Sequence, residues 1–199
     1  HGGVRTAGGG VNVAHPLITD AAAFDLDAYF ERIGYRGRRA ATLDVLRELH
    51  LRHAQSIPFE NLNPLLRWPV RLDTGSLVRK LVHDRRGGYC FEQNLLFAHA
   101  LDALGFRVRG HAARVVYNSP PGTTTPRGHM LLAVEAEGAT FIADVGFGGL
   151  TLTGPLALVA DLQQATPHEP FRLAAAGAGY QMEARVRDTW TPLYRFTLD

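Results

Sequence analysis

The chain has 199 residues and a formal net charge of +2, and 46% of its residues are apolar, enough for a proper core in one large domain or two small ones. The near-neutral charge, with no arginine run interleaved with aromatics, argues against a nucleic-acid partner, and no apolar stretch approaches the length of a membrane span. One cysteine, Cys90, cannot form an internal disulfide, and no hydrophobic signal segment opens the chain; a cytoplasmic protein is expected.

Residues 1–22 are rich in Gly and Ala without periodicity and read as a flexible leader. Asp25 then opens a helix with Leu26, Tyr29, Phe30 and Ile33 on one face, ended by Gly34. Thr42 is a candidate N-cap for a second helix from Leu43 to about Gln55, closed by Pro58. Ser76 to His83 reads as a short helix. Cys90 to Leu104 reads as another, stopped by Gly105. Beyond Gly105 the period changes to two, with strands expected at Arg107–Tyr117, Met130–Glu135, Thr140–Asp144, Phe171–Leu173, Tyr180–Val186 and Trp190–Thr197. Helices first and strands afterwards predict an α+β fold, with a helical domain over 23–105 and a β domain over 106–199.

The chemistry gathers around Cys90. The thiol follows Arg85, Arg86, Gly87 and Gly88 and opens a helix, where the positive end of the helix dipole favours thiolate over thiol. The glycine pair permits close backbone approach, and the arginines add positive field; packing needs neither. His129 stands between Gly128 and the apolar run Met130-Leu131-Leu132. Asp144 ends Phe141-Ile142-Ala143 before Val145-Gly146-Phe147-Gly148-Gly149. A carboxylate in a sheet interior must be paired, and a histidine ring N–H is a suitable partner. Cys, then His, then Asp is the order of a nucleophile, its base and the base's orienter. Taken alone, Cys90 reads as a small core residue and Asp144 as a turn cap; their joint context favours chemistry. Glu60, in Ile57-Pro58-Phe59-Glu60-Asn61-Leu62, is an acid among apolar residues, with Arg86 its natural partner. His99 and His111 read as structural histidines. His50 and His53 share a helix face, but nothing nearby completes a metal site, and none is expected. There is no Walker loop or dinucleotide fingerprint.

Four motifs together resemble those of the arylamine N-acetyltransferases, in a bacterial, actinobacterial form: Tyr29-Phe30-Glu31-Arg32-Ile33; Ile57-Pro58-Phe59-Glu60-Asn61-Leu62; Arg85-Arg86-Gly87-Gly88-Tyr89-Cys90-Phe91-Glu92; and Asp144-Val145-Gly146-Phe147-Gly148. The resemblance runs from about Phe24 to Asp199. It implies an N-terminal helical bundle followed by an antiparallel β-barrel, with a Cys-His-Asp triad like that of papain-type proteases. It implies acetyl-CoA as co-substrate and an acetyl group carried on Cys90 to an arylamine, hydrazine or arylhydroxylamine nitrogen. By motif, Cys90 is the nucleophile, His129 the base and Asp144 its orienter. Arg86 and Glu60 form a structural pair, and Phe59, Val115 and Phe147 line the acceptor pocket. The resemblance departs at its end. The family continues into a third, α/β lid domain that this sequence lacks, which implies an uncovered apolar surface and possible self-association.

Two other readings stay open on the residues: a transglutaminase-like cysteine hydrolase or amide transferase with the same three side chains, and a two-domain fragment that binds ligand without turnover.

Overall fold

A computed structural model describes residues 24–120 and 122–198. The leader expected at residues 1–22 lies outside them.

Every helix precedes residue 104. Helix α1 spans Leu26–Ile33; the Asp25 carboxylate accepts from the backbone of Ala28 at 2.9 Å, and Gly34 ends the helix with φ of 67°. Helix α2 spans Leu43–Ser56 from its Thr42 cap. The short helix α3, Leu62–Leu65, was not expected; Pro64 falls within its single turn, where a missing N–H costs nothing. Helix α4, Thr74–Leu77, runs on into a wider π-helical turn, Val78–His83, whereas the sequence predicts one ordinary helix there. Arg32, the only arginine buried in α1, explains how the wider turn is held: its Nε donates to the carbonyl of Leu81 at 2.9 Å, and its Nη1 to that of Ser56 at 2.6 Å. Helix α5 spans Cys90–Ala103. It buries Leu96, Phe97, Ala98, Ala100 and Leu101 and is apolar nearly all round, as expected of a helix enclosed on most sides.

Seven antiparallel strands follow among the described residues: β1 Arg107–Val115, β2 His129–Ala136, β3 Ala139–Ala143, β4 Leu156–Ala157, β5 Phe171–Ala176, β6 Gly179–Val186 and β7 Thr189–Phe196, in the order β4-β3-β2-β1-β7-β6-β5. Strand β1 stops at Val115, short of Tyr117. The N–H groups of both Val116 and Tyr117 reach the single carbonyl of Leu193, so two residues oppose one and the ladder ends. Pro192, which cannot donate, faces Glu183 beside the register shift of β6 against β7. The sheet curls into a nearly closed barrel. Between its two edges lies the segment after β4, where Ala160 bridges Leu173 and Gln164 bridges Phe171. The Gln164 amide donates to the carbonyl of Ala157 at 2.9 Å and accepts from its N–H at 2.7 Å, a side chain standing in for a strand. Neither β4 nor this closure was expected from the sequence.

Strand β2 explains why the helical layer and the barrel form one body. Met130, Leu132 and Val134 join the core shared with α1, α2 and α5; Leu131 and Ala133 join the barrel interior with Phe171, Met182 and Tyr194. With both faces covered, β2 reads as a continuous apolar run rather than an alternating one. Each fully buried Leu or Phe here stabilises the fold by about 1.5–3 kcal/mol relative to exposure. Among the described residues, no helix is long and apolar enough to cross a membrane.

Candidate active site

The Gly87-Gly88 pair lets two segments meet. Phe59 and Gly88 form a parallel bridge, with Glu60 N–H donating to the Gly88 carbonyl at 3.0 Å and Gly88 N–H to that of Pro58 at 3.3 Å. A Cβ at Gly87 would fall 2.9 Å from that of Glu60, and one at Gly88 would fall 2.8 Å from that of Glu92. Only glycine fits at either position. The expected pair of Arg86 and Glu60 is in contact; Arg86 also donates to Asn63 Oδ1 at 2.8 Å, and Glu60 Oε2 accepts from Gly87 N–H at 3.0 Å. Burial pushes the Glu60 pKa up, but the Arg86 and Gly87 hydrogen bonds and the Arg86 charge outweigh it, leaving the carboxyl below its ordinary range.

This stitching sets down Cys90 as the first residue of α5, buried. Its Sγ lies 3.6 Å from the Gly128 carbonyl and within hydrogen-bonding contact of the His129 ring. His129 opens β2, and its Nε2 donates to Asp144 Oδ2 at 2.6 Å, which leaves Nδ1 for the thiol. Asp144 follows β3 directly and is fully buried. Its other oxygen, Oδ1, accepts from Asn94 Nδ2 and from Gly146 N–H, each at 2.9 Å. Its own N–H donates to His50 Nε2 at 3.1 Å.

The electrostatics follow from these contacts. Burial alone would lower the His129 pKa. The charge and hydrogen bond of Asp144, joined by the Cys90 contact, overcome burial and raise it to about 9. Burial pushes Asp144 upwards, yet the His129 charge and the hydrogen bonds from His129, Asn94 and Gly146 hold it below the usual carboxylate value. His50 is lowered by burial to about 3 despite the nearby Asp144, so it is neutral and accepts from the Asp144 backbone as a neutral ring can.

Two aromatics wall the imidazole, and a third backs one of them. Phe147 meets it edge-on with ring centroids 5.3 Å apart, and Tyr194 lies 4.6 Å away. Tyr117 packs edge-on against Phe147 at 6.1 Å. Val115, half-buried at the end of β1, packs against the same cluster. Phe59 is 46% exposed and lies over Gly148, where any Cβ would collide with its ring. The structure therefore brings Cys90, His129 and Asp144 together, sets Phe147 and Val115 beside them, and leaves Phe59 at the rim.

Sequence reasoning missed the residues that hold the three in register. Asn94 uses both of its donors and its oxygen: Nδ2 donates to Met130 O at 2.7 Å as well as to Asp144, and Oδ1 accepts from Val145 N–H at 3.1 Å. It thus ties α5, β2 and the segment after β3. Nothing in the sequence set it apart, since Glu92 and Gln93 stand beside it as two further polar residues of the same helix. His53, on the same helix face as His50, also has a part that its sequence context does not display. It accepts from the Tyr29 hydroxyl at 2.8 Å and donates to Gln93 Oε1 at 2.8 Å, and Gln93 Nε2 in turn donates to the carbonyls of Ile57 and Pro58. That chain anchors the loop bearing Phe59.

A family model described as N-acetyltransferase matches residues 42–199. The chain belongs to the arylamine N-acetyltransferase family. It is 51% identical over 179 residues to the arylamine N-acetyltransferase of Mycobacterium tuberculosis H37Rv, covering 88% of this chain and 63% of the relative. It is 50% identical over 173 residues to that of Escherichia coli K12, covering 87% and 61%. Among solved structures, the M. tuberculosis enzyme superposes with a TM-score of 0.85 at 50% identity, covering 88% of this chain and 66% of that one. The Mycobacterium marinum enzyme in complex with CoA superposes equally well, with a TM-score of 0.85 at 46% identity and the same coverage. The chain thus spans a little over three-fifths of the length of the curated relatives it matches.

Proposed function

We propose that this chain carries the acetyl-transfer chemistry of its family: an acetyl group passes from acetyl-CoA to Cys90 and then to the nitrogen of an arylamine, arylhydrazine or arylhydroxylamine. The observation that carries the reading is the connected array Cys90–His129–Asp144, with its raised imidazole and its buried carboxylate. The names of the relatives support the acceptor class, and the CoA complex of the M. marinum enzyme supports the donor.

In the first half-reaction the Cys90 sulfur attacks the thioester carbonyl, a carbon–sulfur bond forms, and the CoA sulfur leaves. His129, protonated at neutral pH because its pKa is about 9, supplies a proton to that leaving group. Acetylation removes the Cys90 hydrogen bond and charge that help hold the ring protonated. His129 is then a better base for the second half-reaction. There the amine attacks the acetyl carbon, His129 takes its proton, and the Cys90 sulfur leaves as thiolate. Asp144 keeps the ring oriented through both steps. Phe147 and Val115 offer an apolar floor for an aromatic acceptor, with Phe59 as its movable lip.

Intact mass after incubation with acetyl-CoA tests the reading. One acetyl group is expected on the chain, none on Cys90→Ala, and discharge on adding an aniline or arylhydrazine. Acetylation that persists in Cys90→Ala would sink the assignment.

A further inference from the structure

Lys80 is the only lysine among the 21 lysines and arginines of this chain, and its side chain is largely covered, 12% exposed. The π-helical turn after α4 delivers it beneath the first turn of α5, where its Nζ donates to both oxygens of Glu92, at 2.8 and 3.0 Å. Glu92 is 1% exposed, and its Oε2 accepts from the Tyr89 N–H at 3.1 Å, so the carboxylate folds back over the start of the helix that begins with Cys90. The Lys80 backbone takes part too, its carbonyl accepting from Arg86 N–H at 3.1 Å.

A carboxylate at a helix start is a good cap but a poor neighbour for a thiolate. Its charge opposes the positive end of the helix dipole that favours the anionic sulfur. A buried charge is screened little. Nearby, Arg86 is paired with Glu60, Lys80 bears on Glu60, and Glu92 and Asp84 bear on Arg86. Glu92 is the acid nearest Cys90 in sequence, and Lys80 is its only ion-pair partner among the described residues. A compact ammonium can reach both oxygens in this enclosed space, where a broad guanidinium fork would need more room.

We propose that Lys80 is an electrostatic positioning residue for Cys90: it cancels the Glu92 charge, so that Glu92 caps the helix without suppressing the thiolate. This rests on the reading of Cys90 as the nucleophile. Lys80 touches no reacting atom.

The test is the rate of iodoacetamide alkylation of Cys90 across pH. It reads the thiol directly, whether or not acetyl-CoA is the donor, so failure of the acetyl-transfer reading would show separately, in the mass experiment above. In Lys80→Met, alkylation at neutral pH is expected to slow roughly tenfold, as one uncancelled charge in the same first turn of a helix can produce, and the profile moves to higher pH. In the double variant Lys80→Met with Glu92→Gln, the amide oxygen still accepts from Tyr89, no charge is left unpaired, and the wild-type profile returns. Should Lys80→Met fail to fold, Glu92→Gln alone decides. Lys80 then stands uncompensated, and the profile moves to lower pH. A loss of stability with the alkylation profile unmoved in these variants would overturn the proposal and leave the pair a structural one.

Discussion

Asn94 donates to Asp144 at 2.9 Å from a position one helical turn beyond Cys90, so the helix that presents the nucleophile also grips the carboxylate behind its base. Three partners on two other segments depend on this one amide. In Asn94→Ala, the Met130 carbonyl and the Val145 N–H lose their partner in a buried setting. A destabilisation of about 1–3 kcal/mol for each group left unmade is expected. Asn94→Asp should be worse for transfer than for folding, because a second carboxylate then faces Asp144. Urea denaturation and the rate of acetyl transfer, measured on the same samples, check both statements. A fast Asn94→Asp variant would mean that Asp144 is held by its other contacts.

Asp144→Asn keeps the shape and removes the charge. Its amide cannot accept from His129, Asn94 and Gly146 as the carboxylate does. Acetyl transfer is expected to fall roughly a thousandfold or more, by analogy with the serine triad, while acetyl-CoA binding changes little. Single-turnover rates at saturating donor would show it, and a near-normal rate would remove Asp144 from the proposed mechanism.

The buried histidines pull stability in opposite directions with pH. His129 is raised from 6.5 to about 9, so its contribution is complete below about pH 6.5 and is lost as pH rises through 9. His50 and His53 are lowered to about 3 and about 4, mainly by burial. The unfolded chain binds protons that the folded one refuses, so stability is complete above pH 6.5 and falls as pH drops towards 4. Asp144, held low, adds to that acid loss. Urea midpoints are expected to peak near pH 6.5 and decline on both sides. His129→Gln should flatten the alkaline limb alone; an alkaline limb unchanged in that variant would refute the assignment.

Gly148→Ala sets a methyl group against the Phe59 ring. The backbone there tolerates alanine, so the fold should change by less than about 1 kcal/mol, while the Phe59 lip moves. The KM for an aromatic amine is expected to rise several-fold, with the rate of Cys90 acetylation by acetyl-CoA unchanged. Measuring the two half-reactions separately distinguishes this from a general loss of activity.

Much of this was legible in the sequence because it is local. The Asp25 and Thr42 caps, the glycines ending α1 and following α5, and the period of two beyond residue 106 all depend on near neighbours. Cys90, His129 and Asp144 stood out because each broke a local pattern. Asn94 and His50 broke none that could be interpreted: the Asp144 that gives them meaning lies 50 and 94 residues away in the chain. Helix α3 and strand β4 span only four and two residues, too few to display a period. The Gln164 closure rests on one side chain imitating a strand, which no periodicity encodes.

Strand β2 begins at His129 and sends alternate residues into the helical core and the barrel interior. Parting the Cys90 backbone from that of its base would mean stripping Met130, Leu132 and Val134 from the helices, which exposes the apolar face of the whole layer. Such an opening requires nearly the full free energy of unfolding. Backbone amides of Leu131 and Leu132 should therefore exchange with solvent deuterium only as fast as the entire molecule unfolds. Population by population, the backbone frame that holds the thiol against its base stands or falls with the whole fold.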